Sequence, residues 1–190
     1  MAETLYRTVI PALEVLTRAK GGDGRTIAGI AVPYNTPMRI DARLTEQFAR
    51  GAFNAQLRAG HRVMFARDHI TLGGSLIGKT TMLRDDAAGL YFEARVSATP
   101  VGDETLTLVT DGVLDQLSIG FREGSNRRAA GGVTERITAS LFEIAVVMEG
   151  AYGAHASVAE VREAGSGMSY DEQAAQIIAS LRPLPLPPHA

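Results

Sequence analysis

"LDQLSIGF", Leu114 to Phe121, places one hydroxyl, Ser118, inside a run that otherwise reads as a strand. Serine favours turns and helix caps, where its oxygen satisfies backbone donors. In mid-strand it must bond something or react with something. Side chains alternate faces along a strand. Leu117, Ile119 and Phe121 therefore share the expected core face, and Gln116, Ser118, Gly120 and Arg122 share the other. Gly120 leaves a gap in which another backbone can approach the hydroxyl. Read alone, Ser118 is either a satisfied hydroxyl or a nucleophile.

Working outward, short β-like runs dominate. TIAGIAVPY (26–34) is an apolar run stopped by Pro33. RVMFARDHI (62–70) is a strand that ends at His69. LIGKTTMLRD (76–85) and GLYFEARV (89–96), joined by turn residues, read as a hairpin. VTERITA (133–139) and SLFEIAVVME (140–149) complete the β set, and REGSNRRAAGG (122–132) reads as a polar loop. Two helices interrupt the pattern. In GAFNAQLRAG (51–60), Phe53 and Leu57 share a helical face. Thr99 and Pro100 supply the cap and first position of another, and Gly112 stops it.

Residues 1–21 read as an arm or edge strand closing in the flexible KGGDG turn. A main domain spans 22–162. Residues 163–190 form a linker (EAGSG), an amphipathic helix opened by a Ser169–Glu172 capping box, and a Pro-rich tail, PLPLPPHA. The helix either docks on its own domain or serves as an interaction arm.

The 190 residues suffice for one domain with a core. Apolar residues make up 45%, and the net charge of −2 provides no global field for nucleic acid. With no cysteine, disulfides, thiolate metal sites and a cysteine nucleophile are excluded. No apolar run approaches the ~20 residues that span a bilayer, and the first residues do not read as a secretory signal. No HExxH, phosphate loop, calcium loop or G-x-S-x-G elbow is present, so no cofactor, membrane or nucleic-acid partner is expected.

An alcohol needs a base to act as a nucleophile near neutrality. Of His61, His69, His155 and His189, His69 is the best placed, held by a strand beside the open TLGGS segment. SLFEIAVVM carries one charge, Glu143, in an apolar strand. A lone buried carboxylate costs several kcal/mol unless it is paired. An imidazole would suit it, with the carboxylate fixing the tautomer and stabilising the imidazolium. The structural alternative is an ion pair with Arg95 or Arg136. Asp68 is a rival orienter, but strand alternation turns it away from its neighbour His69.

The ordered segments AGIAVPYNTP (28–37), EQFARGAF (46–53), the strand ending in His69, GLYFEARV, LSIGF (117–121) and LFEIAVV (141–147) resemble the prohead maturation proteases of tailed bacteriophages, relatives of herpesvirus assemblin. The likeness runs from about Thr26 to Val161. It implies an α+β fold, a small, mostly antiparallel β-barrel flanked by helices, here with a C-terminal helix and Pro-rich tail. It implies a serine endopeptidase acting inside the immature capsid, in the host cytoplasm, on scaffold or the scaffold segment of the major capsid protein, often with self-cleavage and possible dimerisation. Carried over, Ser118 matches the nucleophile and His69 the base. Glu143 takes the third place, where assemblins have a second histidine. Two features depart from the family pattern: Ala145 stands where the last motif usually has serine, and no oxyanion donor is identifiable after Glu143. The competing readings are a non-catalytic, protease-like assembly protein and a small-ester hydrolase.

Overall fold

The computed structural model describes residues 5–9, 14–16, 23–59 and 63–148. Strands β1 (Leu5–Val9), β2 (Glu14–Leu16), β3 (Thr26–Pro33), β4 (Met38–Arg39) and β5 (Thr45–Phe48) come first, followed by helix α1 (Asn54–Ala59). Strands β6 (Met64–Arg67), β7 (Ser75–Asp85) and β8 (Gly89–Val96) precede helix α2 (Pro100–Thr110). Strands β9 (Gln116–Glu123), β10 (Asn126–Arg128), β11 (Thr134–Arg136) and β12 (Ala139–Val147) follow it.

Eight strands form one sheet in the order β1-β9-β12-β6-β7-β8-β3-β2. Every pair in it is antiparallel except β12–β6. Strand β3, near one end, also comes against β9 and β1 at the other, so the sheet curls into a half-barrel. Its concave side holds Ile27, Phe65, Phe92, Leu117, Ile119 and Phe121, all buried. The alternation in LSIGF thus reads correctly: the three apolar residues enter the core and Ser118 lies on the other face. A smaller sheet, β10-β11-β5-β4, lies beside the first.

Local chemistry sets the α2 boundaries. Thr99 has extended backbone and its Oγ1 accepts from the Gly102 N–H at 3.1 Å, Pro100 occupies the first turn, and Asp103 sits at the positive end. Past the last turn, Gly112 takes φ +71°, a left-handed conformation that glycine adopts without strain.

The described fold is mostly strand with few helices, as expected, and the sheet's strand order ends in β1 and β2. Other details differ. Residues 122–132, read as a loop, contain β10, which pairs with β11. Strands β4 and β5 were not expected, because two and four residues are too few to show a period. The C-terminal helix and tail lie outside the described residues.

A buried ionic network ties the two sheets together. Glu46 of β5 is fully buried and accepts from Arg7 of β1 and from Arg136 of β11, the latter at 2.6 Å to Nη2. Arg136 also reaches Glu123 at the end of β9, and Arg7 lies over the Phe121 ring at 5.7 Å. Removing one partner of a buried network strands the others, which typically costs about 3–5 kcal/mol. Glu46→Ala is therefore expected to lower the urea midpoint by a matching amount, whereas Glu135→Ala, whose partner Arg127 is exposed, lowers it much less.

Candidate active site

Strand β9 presents Ser118 to the face away from the core, and β12 runs antiparallel beside it. Ala145 lies opposite Ser118, and Glu143 lies opposite Gly120. The register shifts between Leu141, which pairs with Phe121, and Glu143, so Phe142 is the extra residue of a β-bulge. The bulge decides where the carboxylate goes. Leu141 points into the core, and in a regular strand Glu143, two residues on, would follow it. With Phe142 inserted, Ile144 and Val146 take the core positions, and Glu143, Ala145 and Val147 share the face of Ser118. The sequence carried this signal: the apolar alternation in SLFEIAVV changes parity between Leu141 and Ile144.

His69 arrives from the parallel neighbour β6, which pairs with β12 from Met64 to Arg67. The strand ends at Arg67, not at His69 as expected. The Asp68 N–H donates to the Val146 carbonyl at 2.9 Å, and Asp68 then takes φ +56°, an uncommon conformation for a residue with a Cβ. His69 is extended again and opens a single 3-10 turn, Ile70–Leu72. Its carbonyl accepts from the N–H groups of Leu72 and Gly74 at 2.8 and 2.9 Å. Gly74 here closes the loop rather than leaving space around it. Gly73 has φ +95°, and a Cβ on Gly74 would sit 2.3 Å from the Asp68 carbonyl oxygen.

These three segments converge. The His69 Nδ1 is hydrogen-bonded to a Glu143 carboxylate oxygen, and its Nε2 lies 2.5 Å from Ser118 Oγ. The Ile70 N–H donates to the second Glu143 oxygen at 3.4 Å. All three side chains are buried. An ionised carboxylate only accepts; a neutral ring bonded to one carries its proton on Nδ1, which leaves Nε2 to accept from a hydroxyl. Ala145 lies between the strands of Ser118 and Ala66, and Ile70 packs against this alanine patch. The small side chains leave room for an imidazole to reach Ser118 from the end of β6. The alanine at 145 is thus a feature of the site's packing.

The two arginines that could have paired with Glu143 meet other carboxylates. Arg95 pairs with Asp23 at 2.9 Å, and Arg136 with Glu46 and Glu123. Strand alternation does not govern Asp68, since the chain leaves the strand there, and the carboxylate on Nδ1 is that of Glu143. His61, His155 and His189 lie outside the described residues. Among the described residues, no group of three or more His, Asp or Glu is arranged to hold a metal ion, and no helix is long and apolar enough to cross a membrane. A hydroxyl on a buried imidazole whose far nitrogen meets a buried carboxylate can lose its proton to the ring as the oxygen attacks an electrophile.

A family model described as caudovirus prohead serine protease matches residues 13–169. The comparison with curated proteins gives no match. Two solved chains match, among them the capsid assembly protease gp21 of bacteriophage T4. It is 12% identical, with a TM-score of 0.53 over 76% of this chain and 97% of that one, and at this identity the likeness is one of fold.

Since the loop carrying His69 turns on Gly74, Gly74→Ala must displace the Asp68 or Arg67 carbonyl. The expected result is a loss of about 1–3 kcal/mol in chemical unfolding, with slower labelling of Ser118 by a fluorophosphonate. Unchanged labelling would show that the loop can shift without moving the imidazole.

Proposed function

The chain belongs to the caudovirus prohead serine protease family, and we propose that it is an endopeptidase whose reaction centre is Ser118, His69 and Glu143. The observation that carries this reading is the imidazole bridge: one ring with Ser118 Oγ at 2.5 Å from Nε2 and the Glu143 carboxylate on Nδ1.

Ser118 Oγ attacks the carbonyl carbon of the scissile peptide while its proton passes to His69 Nε2. The imidazolium so formed is stabilised by Glu143, whose negative charge is held close by burial. As the tetrahedral adduct collapses, the C–N bond breaks and His69 returns the proton to the departing amine. Water then adds to the acyl-serine with His69 again as base, releasing the acid and restoring the hydroxyl. The work of Glu143 is to fix the tautomer and to meet the charge that appears on the ring.

The family and the capsid-assembly role in the printed name of the T4 protein support substrates drawn from the capsid shell itself. In this reading the enzyme acts inside the prohead, within the host cell. It cuts the scaffold protein or the scaffold segment of the major capsid protein, and it cleaves itself when that work is done. The half-barrel and smaller sheet make the protease module, and residues 163–190 are an appended segment.

Coexpression with the phage's own capsid and scaffold proteins tests the proposal. Ser118→Ala and His69→Ala are expected to leave both at full length, since loss of either group in a serine protease costs on the order of 10⁶-fold in kcat. Glu143→Gln should slow processing by about 10⁴-fold, since removing the orienting carboxylate costs less. Continued cutting at the same positions by Ser118→Ala would remove this residue from its role. Full-length substrate with the unaltered chain would favour an assembly module without activity.

A further inference from the structure

We propose that Gln56 is a positioning residue for this reaction, acting by holding the β12 bulge that turns Glu143 toward His69. The inference rests on the reading of Glu143 as the orienting carboxylate.

Strand β12 has β9 along one edge throughout, but on its other edge β6 pairs only with Glu143 to Val146. The stretch before the bulge extends past the start of β6. There the segment leading into α1 and α1 itself take over. The Ala139 N–H donates to the Ala52 carbonyl at 2.9 Å. The Leu141 N–H donates to Gln56 Oε1 at 2.7 Å, and Gln56 Nε2 donates to the Leu141 carbonyl. One carboxamide thus takes both backbone groups of one residue, as an adjoining strand would.

That residue is the last before the bulge. Gln56 is 5% exposed in a short helix, so its amide is committed to this task rather than to solvent. A bulge leaves one residue, here Phe142, outside the regular pairing, and its position can slip along the strand. A slip of one residue would return Glu143 to the core face. By fixing Leu141 on the α1 side, with β9 on the other, Gln56 confines the irregularity to Phe142. The register after it is then the one that pairs Glu143 with Gly120.

The test uses the full-length chain and a fluorophosphonate probe, following the labelling rate of Ser118 at neutral pH. Glu143→Gln sets the full size of the loss expected when the carboxylate no longer orients the ring. Gln56→Leu is expected to label about 10²-fold more slowly, the cost of a misplaced group. In the Glu143→Gln background the same substitution should cost little further, because its effect passes through Glu143. Gln56→Glu, which keeps an acceptor for the Leu141 N–H, gives an intermediate result and serves if Gln56→Leu does not fold.

A wild-type labelling rate in both Gln56 variants, or a full additional loss on top of Glu143→Gln, overturns the inference and reduces Gln56 to a structural amide. If instead Ser118 of the unaltered chain does not label, or Glu143→Gln keeps the wild-type labelling rate, the underlying reading of the site fails.

Discussion

A carboxylate enclosed in an apolar strand is the constraint around which this protein is organised. Glu143 is buried in β12 among valine, isoleucine and alanine. Left without a partner it would cost several kcal/mol and would take up a proton rather than stay charged. It is met from two sides by one short loop, through the His69 ring and the Ile70 N–H. Everything needed to bring that loop to the carboxylate is unusual for the local chain: a parallel pairing in a largely antiparallel sheet, a left-handed Asp68, two successive glycines and a bulge that inverts the face of a strand. Such departures from regular geometry concentrate where a precise placement of side chains is required.

The site's members come from the ends and middles of strands, held by ladders on both sides. Ser118 lies within β9, between β1 and β12, so its Oγ has little freedom to drift. His69 sits on a loop of seven residues between β6 and β7, and its own carbonyl ties that loop down with two hydrogen bonds. Rigid mounting of this kind matters because displacement of a reacting group by about 1 Å can cost 10²-fold in rate. The alanines at 66 and 145 contribute by being small: a broad imidazole passes over the sheet between strands where branched side chains would block it.

Much of this was legible in the residues. Strict alternation in LSIGF put Ser118 off the core face, Thr99-Pro100 marked a helix start, and one charge in an apolar strand demanded a partner. What escaped were features without a periodic signature. Strands β4 and β5 are too short for alternation to register. The bulge shifts the parity of SLFEIAVV, but a single break in a run of mostly apolar residues is easily read as continuous. The buried Arg7–Glu46–Arg136 network joins residues up to 129 positions apart, which no local pattern can reveal. Strand β6 ends two residues before His69, at Arg67, and Asp68 carries no mark of its left-handed conformation; only the nearby glycines hint at a turn.

The two buried carboxylates, Glu46 and Glu143, show how the same physical problem is solved in two ways. Glu46 is met by guanidinium groups, which stay protonated at any pH the protein meets. Its charge is balanced permanently, and the result is a fixed joint between the two sheets. Glu143 is met by an imidazole, a group that can both give and accept a proton. When the ring is neutral, the carboxylate holds a hydrogen bond but no opposite charge, so the pair is left with an uncompensated negative charge in a buried place. Protonating the ring relieves that imbalance. On the proposed mechanism, the proton that does so comes from Ser118 as it attacks, and the electrostatic cost of burying Glu143 becomes a driving force for making the nucleophile. An arginine in the same position could balance the charge but could accept no proton, so the proposed mechanism requires an imidazole at position 69.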